Sequence, residues 1–262
     1  MTVHFIGAGP GAADFITLRG LRIIQNSPVC LYAGTLIPKE LLEHCPDGAR
    51  LIDTSTLDLE GIINECQKAH SEGHDVARLA SGDLSIYSAV AEQIRRLQAV
   101  GIDYTMTPGV PAFAAAAATL GHELTVPEVG QTVILTRISR SATAMPPGEN
   151  LATLGASRAL LVLHLATAHI DDVVAELLPN YGPDCPAAVV ALASRPDEIV
   201  LRGQLDNIAA ATKEAGIRRT AVILVGQALS AKEFPDSHLY SMACAAERRA
   251  EGVPAPIAGL PR

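Results

Sequence analysis

Three short loops hold the residues whose types and spacing could do chemistry. The first is Gly7-Ala8-Gly9-Pro10-Gly11-Ala12, after an apolar run and before a helical pattern. It matches G-x-G-x-x-[G/A], in which glycines bring backbone close to a dinucleotide pyrophosphate. Two features count against a nicotinamide cofactor. That fingerprint needs an acidic residue about 20 positions on to hold the ribose, and residues 27–38 contain none. Pro10 also removes one backbone N–H from the loop that should cradle phosphate. Tight packing of strand on helix is the structural role open to this loop; binding of a different ligand is the functional one. The second loop is Ser81-Gly82-Asp83-Leu84-Ser85-Ile86-Tyr87. Gly82 can take a backbone shape closed to other residues. Asp83 can accept hydrogen bonds from hydroxyl or amino groups of a ligand, or Asp83 and Ser85 can cap the next helix. The third loop is Thr107-Pro108-Gly109-Val110-Pro111-Ala112. Alone it reads as a turn. Together the three place glycine-containing loops at one edge of one sheet.

Other chemistries find little to be built from. The His, Cys and acidic residues show no metal-ligand spacing, so no metal is expected. There is no G-x-S-x-G elbow and no Walker loop. His164 lies in the run Leu161-Val162-Leu163-His164-Leu165, where a lone His reads as a satisfied interior residue.

The loops need strands and helices to position them, and the patterning supplies both. Apolar strands are predicted at 3–6, 29–32 and 76–80, with a further strand before Thr107. Helical spacing recurs at Leu18, Leu21 and Ile24. It recurs again at Leu59, Ile62, Ile63, Cys66 and Ala69, the i, i+3, i+4, i+7 stripe of one buried face. Gly73 supplies a stop, and a further helix is predicted over 89–100. Strands alternating with helices imply a parallel sheet covered on both faces. The second half differs. Strands are predicted at 132–136, 160–165, 187–192 and 221–225, helices at 170–178 and 208–216, and a short run at 199–203 that can hairpin onto its predecessor. A mixed sheet suits this half. The expected organisation is an α/β domain over 1–115, a mixed-sheet α/β domain over 116–242 and a Pro-containing tail over 243–262. Small-molecule sites favour carboxyl ends of parallel strands and spaces between domains.

Composition narrows the function classes. The chain has 262 residues, 48% hydrophobic and 18% charged, the reverse of a disordered balance. Net charge is −8, so no nucleic-acid partner is expected. Trp is absent and aromatics are 3%, which leaves little for a base-stacking platform or an interfacial belt. No run approaches the ~20 apolar residues of a membrane span, and no basic n-region opens the chain. Five Cys without a C-x-x-C pair argue against a disulfide framework. The expectation is a cytoplasmic protein.

The loops, taken in order, resemble the tetrapyrrole methylase family. The carrying segments are Val3-His4-Phe5-Ile6-Gly7-Ala8-Gly9-Pro10-Gly11, Ser81-Gly82-Asp83, Thr107-Pro108-Gly109 and Arg219-Thr220-Ala221-Val222-Ile223-Leu224-Val225-Gly226, within a match over about residues 2–229. Residues 31–38 and 131–137 carry it further. The family usually has Pro after the Gly-Asp pair; here Leu84 stands there. The resemblance implies a class III S-adenosyl-L-methionine-dependent C-methyltransferase of cobalamin biosynthesis. Its two α/β domains would hold the active site in the cleft between them. It implies donor contacts at Pro10, Ser81, Gly82, Asp83, Ile86, Pro111, Ala112, Leu165, Ala193 and Ala221, a homodimer, and S-adenosyl-L-homocysteine as the spent donor. The implied acceptor is a tetrapyrrole rich in carboxylates. An acidic protein needs a locally basic wall to hold it, and the candidates are Arg19, Lys39, Arg137 and Arg140, with Tyr32 placed either to face the acceptor or to close the core. No catalytic residue is assigned, because a sulfonium methyl is already a strong electrophile. Correct placement supplies much of the rate. A sister enzyme of the family, a nicotinamide-dependent oxidoreductase and a tetrapyrrole carrier without chemistry are the competing readings.

Overall fold

The computed structural model describes residues 1–139 and 144–237, together with residues 244, 247 and 250. Arg140 and almost all of the 243–262 segment lie outside the described residues. Two five-stranded sheets organise the rest.

The first sheet contains β1 (Thr2–Gly7), β2 (Val29–Tyr32), β3 (Arg50–Asp53), β4 (Val76–Ala80) and β5 (Asp103–Thr107). Its order is β3-β2-β4-β1-β5, and each pairing is parallel. Parallel strands need crossovers, which cover both faces. The helices are α1 (Leu18–Ile24), α2 (Lys39–Leu42), α3 (Leu59–Ser71) and α4 (Val90–Ala99). On one face Ile62, Ile63, Cys66 and Ala69 of α3 and Leu97 of α4 pack against Val3, Phe5, Leu31 and Val76. On the other, Ile24 of α1 and Leu41 of α2 cover Ile6, Cys30 and Leu79. The predicted apolar stripe is therefore the buried face of α3. Asp58 caps that helix by accepting from the Gly61 amide at 2.8 Å, and Gly73 ends it with φ +74°, a left-handed conformation that costs glycine least.

The second sheet contains β6 (Val133–Thr136), β7 (Leu160–Leu163), β8 (Pro186–Ala191), β9 (Ile199–Gln204) and β10 (Ala221–Val225) in the order β6-β7-β10-β8-β9. β6 and β7 run parallel; the other pairings are antiparallel. The sheet is mixed, as the patterning indicated, and 199–203 does pair back onto β8. Helices α6 (Leu151–Gly155), α7 (Ile170–Tyr181) and α8 (Ile208–Glu214) bury Leu151, Ile170, Val173, Leu177 and Ile208 on one face. The other face is covered by α5 (Ala112–Leu120). Its Ala115, Ala116 and Leu120 lie against Val162, Val190, Val222 and Leu224. Residue 115 thus falls inside a helix that packs on the second sheet.

Three elements escaped the pattern reading. β3 is four residues alternating between half-buried and exposed, and its strand partner is β2. The helices α2 and α6 span four and five residues, too short for a helical period to register. α6 is announced only by its cap, Asn150, which accepts from the Thr153 amide at 2.9 Å.

Leu79 is fully buried in the middle of the first sheet. Leu79→Ala should lower unfolding stability by about 2–5 kcal/mol through lost transfer energy plus a cavity. Val100→Ala, at a 45% exposed position, should stay within about 0.5 kcal/mol. Chemical denaturation with an unchanged slope checks both.

Candidate functional site

The three glycine loops meet at the carboxyl edge of the first sheet, and backbone touches backbone. A Cβ on Gly7 would lie 2.5 Å from the Gly109 amide nitrogen and 2.8 Å from the Gly82 carbonyl oxygen. A Cβ on Gly109 would run into that same carbonyl oxygen and lie 2.6 Å from the Gly7 carbonyl carbon. No side chain fits at either position, so glycine is required by contact and not by dihedral angle. The Gly82 amide donates to the Gly9 carbonyl at 2.7 Å, and the Gly9 amide donates back to the Gly82 carbonyl at 3.2 Å. Gly9 and Gly82 have φ of +82° and +72°, where other residues are strained.

Asp83 fastens two of these loops together. One carboxylate oxygen accepts from the Gly109 amide at 2.9 Å. The other accepts from the Ser85 amide at 2.8 Å and from the Ser85 hydroxyl. Burial pushes the Asp83 carboxyl up, but the Ser85 hydroxyl and the Ser85, Gly109 and Leu84 amides outweigh it and hold it below the ordinary carboxylate value. Leu84, in the family's usual proline position, is 6% exposed and packs in the first-sheet core with Ala80 and Val90. It anchors the loop by burial where proline would do so by rigidity.

The matching edge of the second sheet faces these loops. β7 and β8 end there and β10 begins there, because Ala221 pairs with Ala191 and Ile223 with Leu163. The turns carry non-glycine residues at positive φ: Leu165 at +54°, Leu192 at +54° and Ser194 at +68°. Such backbone persists only where its surroundings hold it, and it concentrates at ligand sites. Ser194 is held from both sides. Its amide donates to Glu198 Oε2 at 2.6 Å, and its hydroxyl oxygen accepts from the Ala12 amide of the first loop at 2.9 Å. Arg195 Nη1 donates to the Thr35 carbonyl at 3.2 Å. A Cβ on Gly11 would lie 2.7 Å from the Ala193 carbonyl oxygen and run into Arg195. The two sheet edges are thus stitched into one cleft.

The predicted donor positions fall on both walls. Pro10, Ser81, Gly82, Asp83 and Ile86 lie in the loops after β1 and β4, and Pro111 and Ala112 at the start of α5. Leu165 stands 50% exposed after β7, Ala193 is buried after β8, and Ala221 begins β10. Apart from Ser81 and Asp83, these residues present apolar side chains and backbone groups. Among the described residues no group of His, Cys, Asp and Glu could hold a metal ion. The predicted basic wall is dispersed. Tyr32 ends β2 at the cleft edge, and Lys39 is exposed at the start of α2. Arg137 follows β6, and its guanidinium donates to the Ile138 carbonyl at 3.0 Å and the Ala144 carbonyl at 3.4 Å. Arg19 lines a cavity of about 290 Å³ with His4, Arg22 and Asp75, toward the amino ends of β1 and β4.

Sequence reasoning missed Ser194, Arg195, Phe113 and Tyr87, and it misread His164. The two rings nearest His164 are Tyr87 at 5.5 Å and Phe113 at 6.4 Å. Among the described residues the buried His164 Nε2 has no hydrogen-bond partner, which departs from the satisfied interior histidine expected. A cluster drawn from residues 87, 113 and 164 leaves no local motif. A polar residue at the end of an apolar strand was the one available signal.

Fold and site define a two-sheet α/β protein whose cleft is built from glycine loops and suits a small apolar-and-polar ligand. The family description "Tetrapyrrole (Corrin/Porphyrin) Methylases" matches residues 2–209. The chain belongs to this family. It is 61% identical over 241 residues to a precorrin-4 C(11)-methyltransferase from Rhodococcus erythropolis, covering 92% of this chain and 97% of that one. It is 42% identical to a cobalt-precorrin-4 C(11)-methyltransferase from Methanocaldococcus jannaschii, covering 91% and 92%. The crystal structure of a cobalt precorrin-4 methyltransferase superposes with a TM-score of 0.85 at 35% identity, covering 88% and 96%.

Gly109→Ala should cost about 1–3 kcal/mol by overpacking backbone against backbone, read as a lowered Tm. The Asp83 carboxyl is held below its unfolded value, so its contribution to stability is complete above about pH 4 and is lost as pH falls through the lower folded value. The stability gap between the parent chain and Asp83→Asn should therefore be constant near neutrality and shrink on acidification. Denaturation series across pH test this; a gap that widens in acid would reverse the assignment.

Proposed function

We propose that this chain transfers a methyl group from S-adenosyl-L-methionine to C-11 of precorrin-4, giving precorrin-5 in the aerobic route to cobalamin. The observation that carries this reading is near-full-length similarity to precorrin-4 C(11)-methyltransferases in a chain whose glycine loops close on a second sheet edge. The bound donor supplies an electrophilic methyl on a sulfonium. The chain's own contribution is placement: donor and ring carbon must lie in line at near-attack distance, which can supply several kcal/mol of the barrier. The rigid triangle of Gly7, Gly82 and Gly109 gives one wall of the donor site, and Leu165 and Ala193 give the other. Tyr32, Lys39 and Arg137, joined by Arg195, are the acceptor-facing candidates, Arg being suited to paired carboxylate contacts. Arg19 would serve only an acceptor that reaches round to the amino ends of β1 and β4. We place the division between the two domains at the Pro111–Ala112 junction, since α5 packs on the second sheet. A homodimer and a cytoplasmic location belong to the same reading.

Calorimetric titration should show binding of S-adenosyl-L-methionine and none of NAD. Mass spectrometry should show precorrin-4 gaining one methyl group, faster than cobalt-precorrin-4. Binding of NAD alone would sink the reading and restore the dinucleotide fingerprint. Asp83→Ala should weaken donor affinity about tenfold, or ~1.4 kcal/mol, while the fold is kept, because Gly109 loses its tether. Size-exclusion chromatography with light scattering should return a dimer; a monomer would reject that part.

A further inference from the structure

Methyl transfer from a sulfonium to a neutral ring carbon leaves a charge to dispose of. The C–S bond breaks and its electrons stay on sulfur as a neutral thioether. The new C–C bond takes an electron pair from the macrocycle, which becomes cationic and must then lose a proton. The N–H of the pyrrole-type ring conjugated to that carbon becomes the acid, and its N–H electrons restore the neutral C=N system.

His164 is placed to take that proton. It directly follows the last residue of β7, on the cleft-facing edge, and directly precedes Leu165. Its ring is held by Tyr87 from the loop after β4 and by Phe113 from the start of α5. The histidine therefore sits where the two sheets' loops converge. Among the described residues its buried Nε2 atom has no hydrogen-bond partner. A buried polar atom left unpaired is costly, and functional groups awaiting a ligand are one reason such atoms persist. Tyr87 covers this ring yet is itself 45% exposed, on backbone at φ +53°. It is the neighbour that can give way to an incoming macrocycle.

We propose that His164 Nε2 accepts the N–H proton released by the tetrapyrrole as its ring carbon is methylated, an inference that rests on the methyltransferase reading above. The rings facing the imidazole are the Tyr87 phenol and the uncharged Phe113 ring. Burial pushes the imidazole below its ordinary value, keeping it neutral at physiological pH. Burial raises the Tyr87 phenol, while Arg137 lowers it and Glu149 raises it, so that phenol stays protonated in the same range. A neutral imidazole beside a developing cation is a competent base.

His164→Phe keeps a ring between Tyr87 and Phe113 and removes both nitrogens. With the parent chain shown to bind donor and methylate precorrin-4, this variant should keep its donor affinity within twofold. Its kcat should fall about 100-fold, the usual scale of a lost general base. The parent kcat should rise with pH through a value below about 6.5 and then level off; in the variant that acid limb should vanish. His164→Gln should recover part of the rate by accepting a hydrogen bond. An independent readout uses histidine-labelled parent chain: adding the tetrapyrrole with S-adenosyl-L-homocysteine should shift the His164 Nε2 NMR resonance. Unchanged kcat and pH profile in His164→Phe, loss of donor affinity, or a silent Nε2 resonance would each overturn the proposal. If the variant does not fold, the resonance decides. A parent chain that binds no donor or transfers no methyl overturns the methyltransferase reading itself, and this inference with it.

Discussion

The site depends on one steric fact: three chain segments approach so closely that only hydrogen fits between them. Gly7 and Gly109 bring the ends of β1 and β5 against each other and against the Gly82 carbonyl after β4 as bare backbone. These strands are neighbours in the sheet, so their loops must share one small volume. A side chain at Gly7 or Gly109 would splay the loops, and Gly82 is favoured by its φ of +72°. With glycine, the backbone groups pair across loops and Asp83 ties the arrangement off. A carboxylate that looks like a ligand contact in sequence thus serves first as a clasp, with its capacity largely taken up by Ser85 and Gly109.

A second constraint follows from the first. A rigid loop cluster at one sheet edge makes a cleft only if something stands opposite. The second sheet supplies it because β7 and β8 end, and β10 begins, on the same side. Ser194 and Arg195 reach across to Ala12 and Thr35. The positive φ angles of Leu165, Leu192 and Ser194 are the conformational cost of turning the chain there.

Electrostatics are sparse for a chain that would hold a polyanionic acceptor. Net charge is −8, and the cationic candidates are scattered along the cleft and beyond it. Local geometry, not overall charge, must then set acceptor affinity. The same sparseness makes the His164 Nε2, without a hydrogen bond among the described residues, stand out.

Much of the architecture was legible before any coordinates. Alternating strands and helices, the apolar stripe of α3 and the mixed second sheet all follow from period and β-branching, which are local properties. So do the glycine loops, because a motif is a run of consecutive residues. Elements below the length of a helical turn or two left no period, which is why α2 and α6 escaped. Pairing partners, which define β3, are not encoded in the strand itself. The cluster of Tyr87, Phe113 and His164, the bridge from Ser194 to Ala12, and the placement of Arg19 at the far end of the sheet were beyond a linear reading. Each is a relation between residues far apart in the chain, whose meeting is decided by sheet order and helix packing. Which residues had to be small, apolar or polar could be read from consecutive positions; which of them face one another could not, because contact is a property of the folded sum and not of any segment.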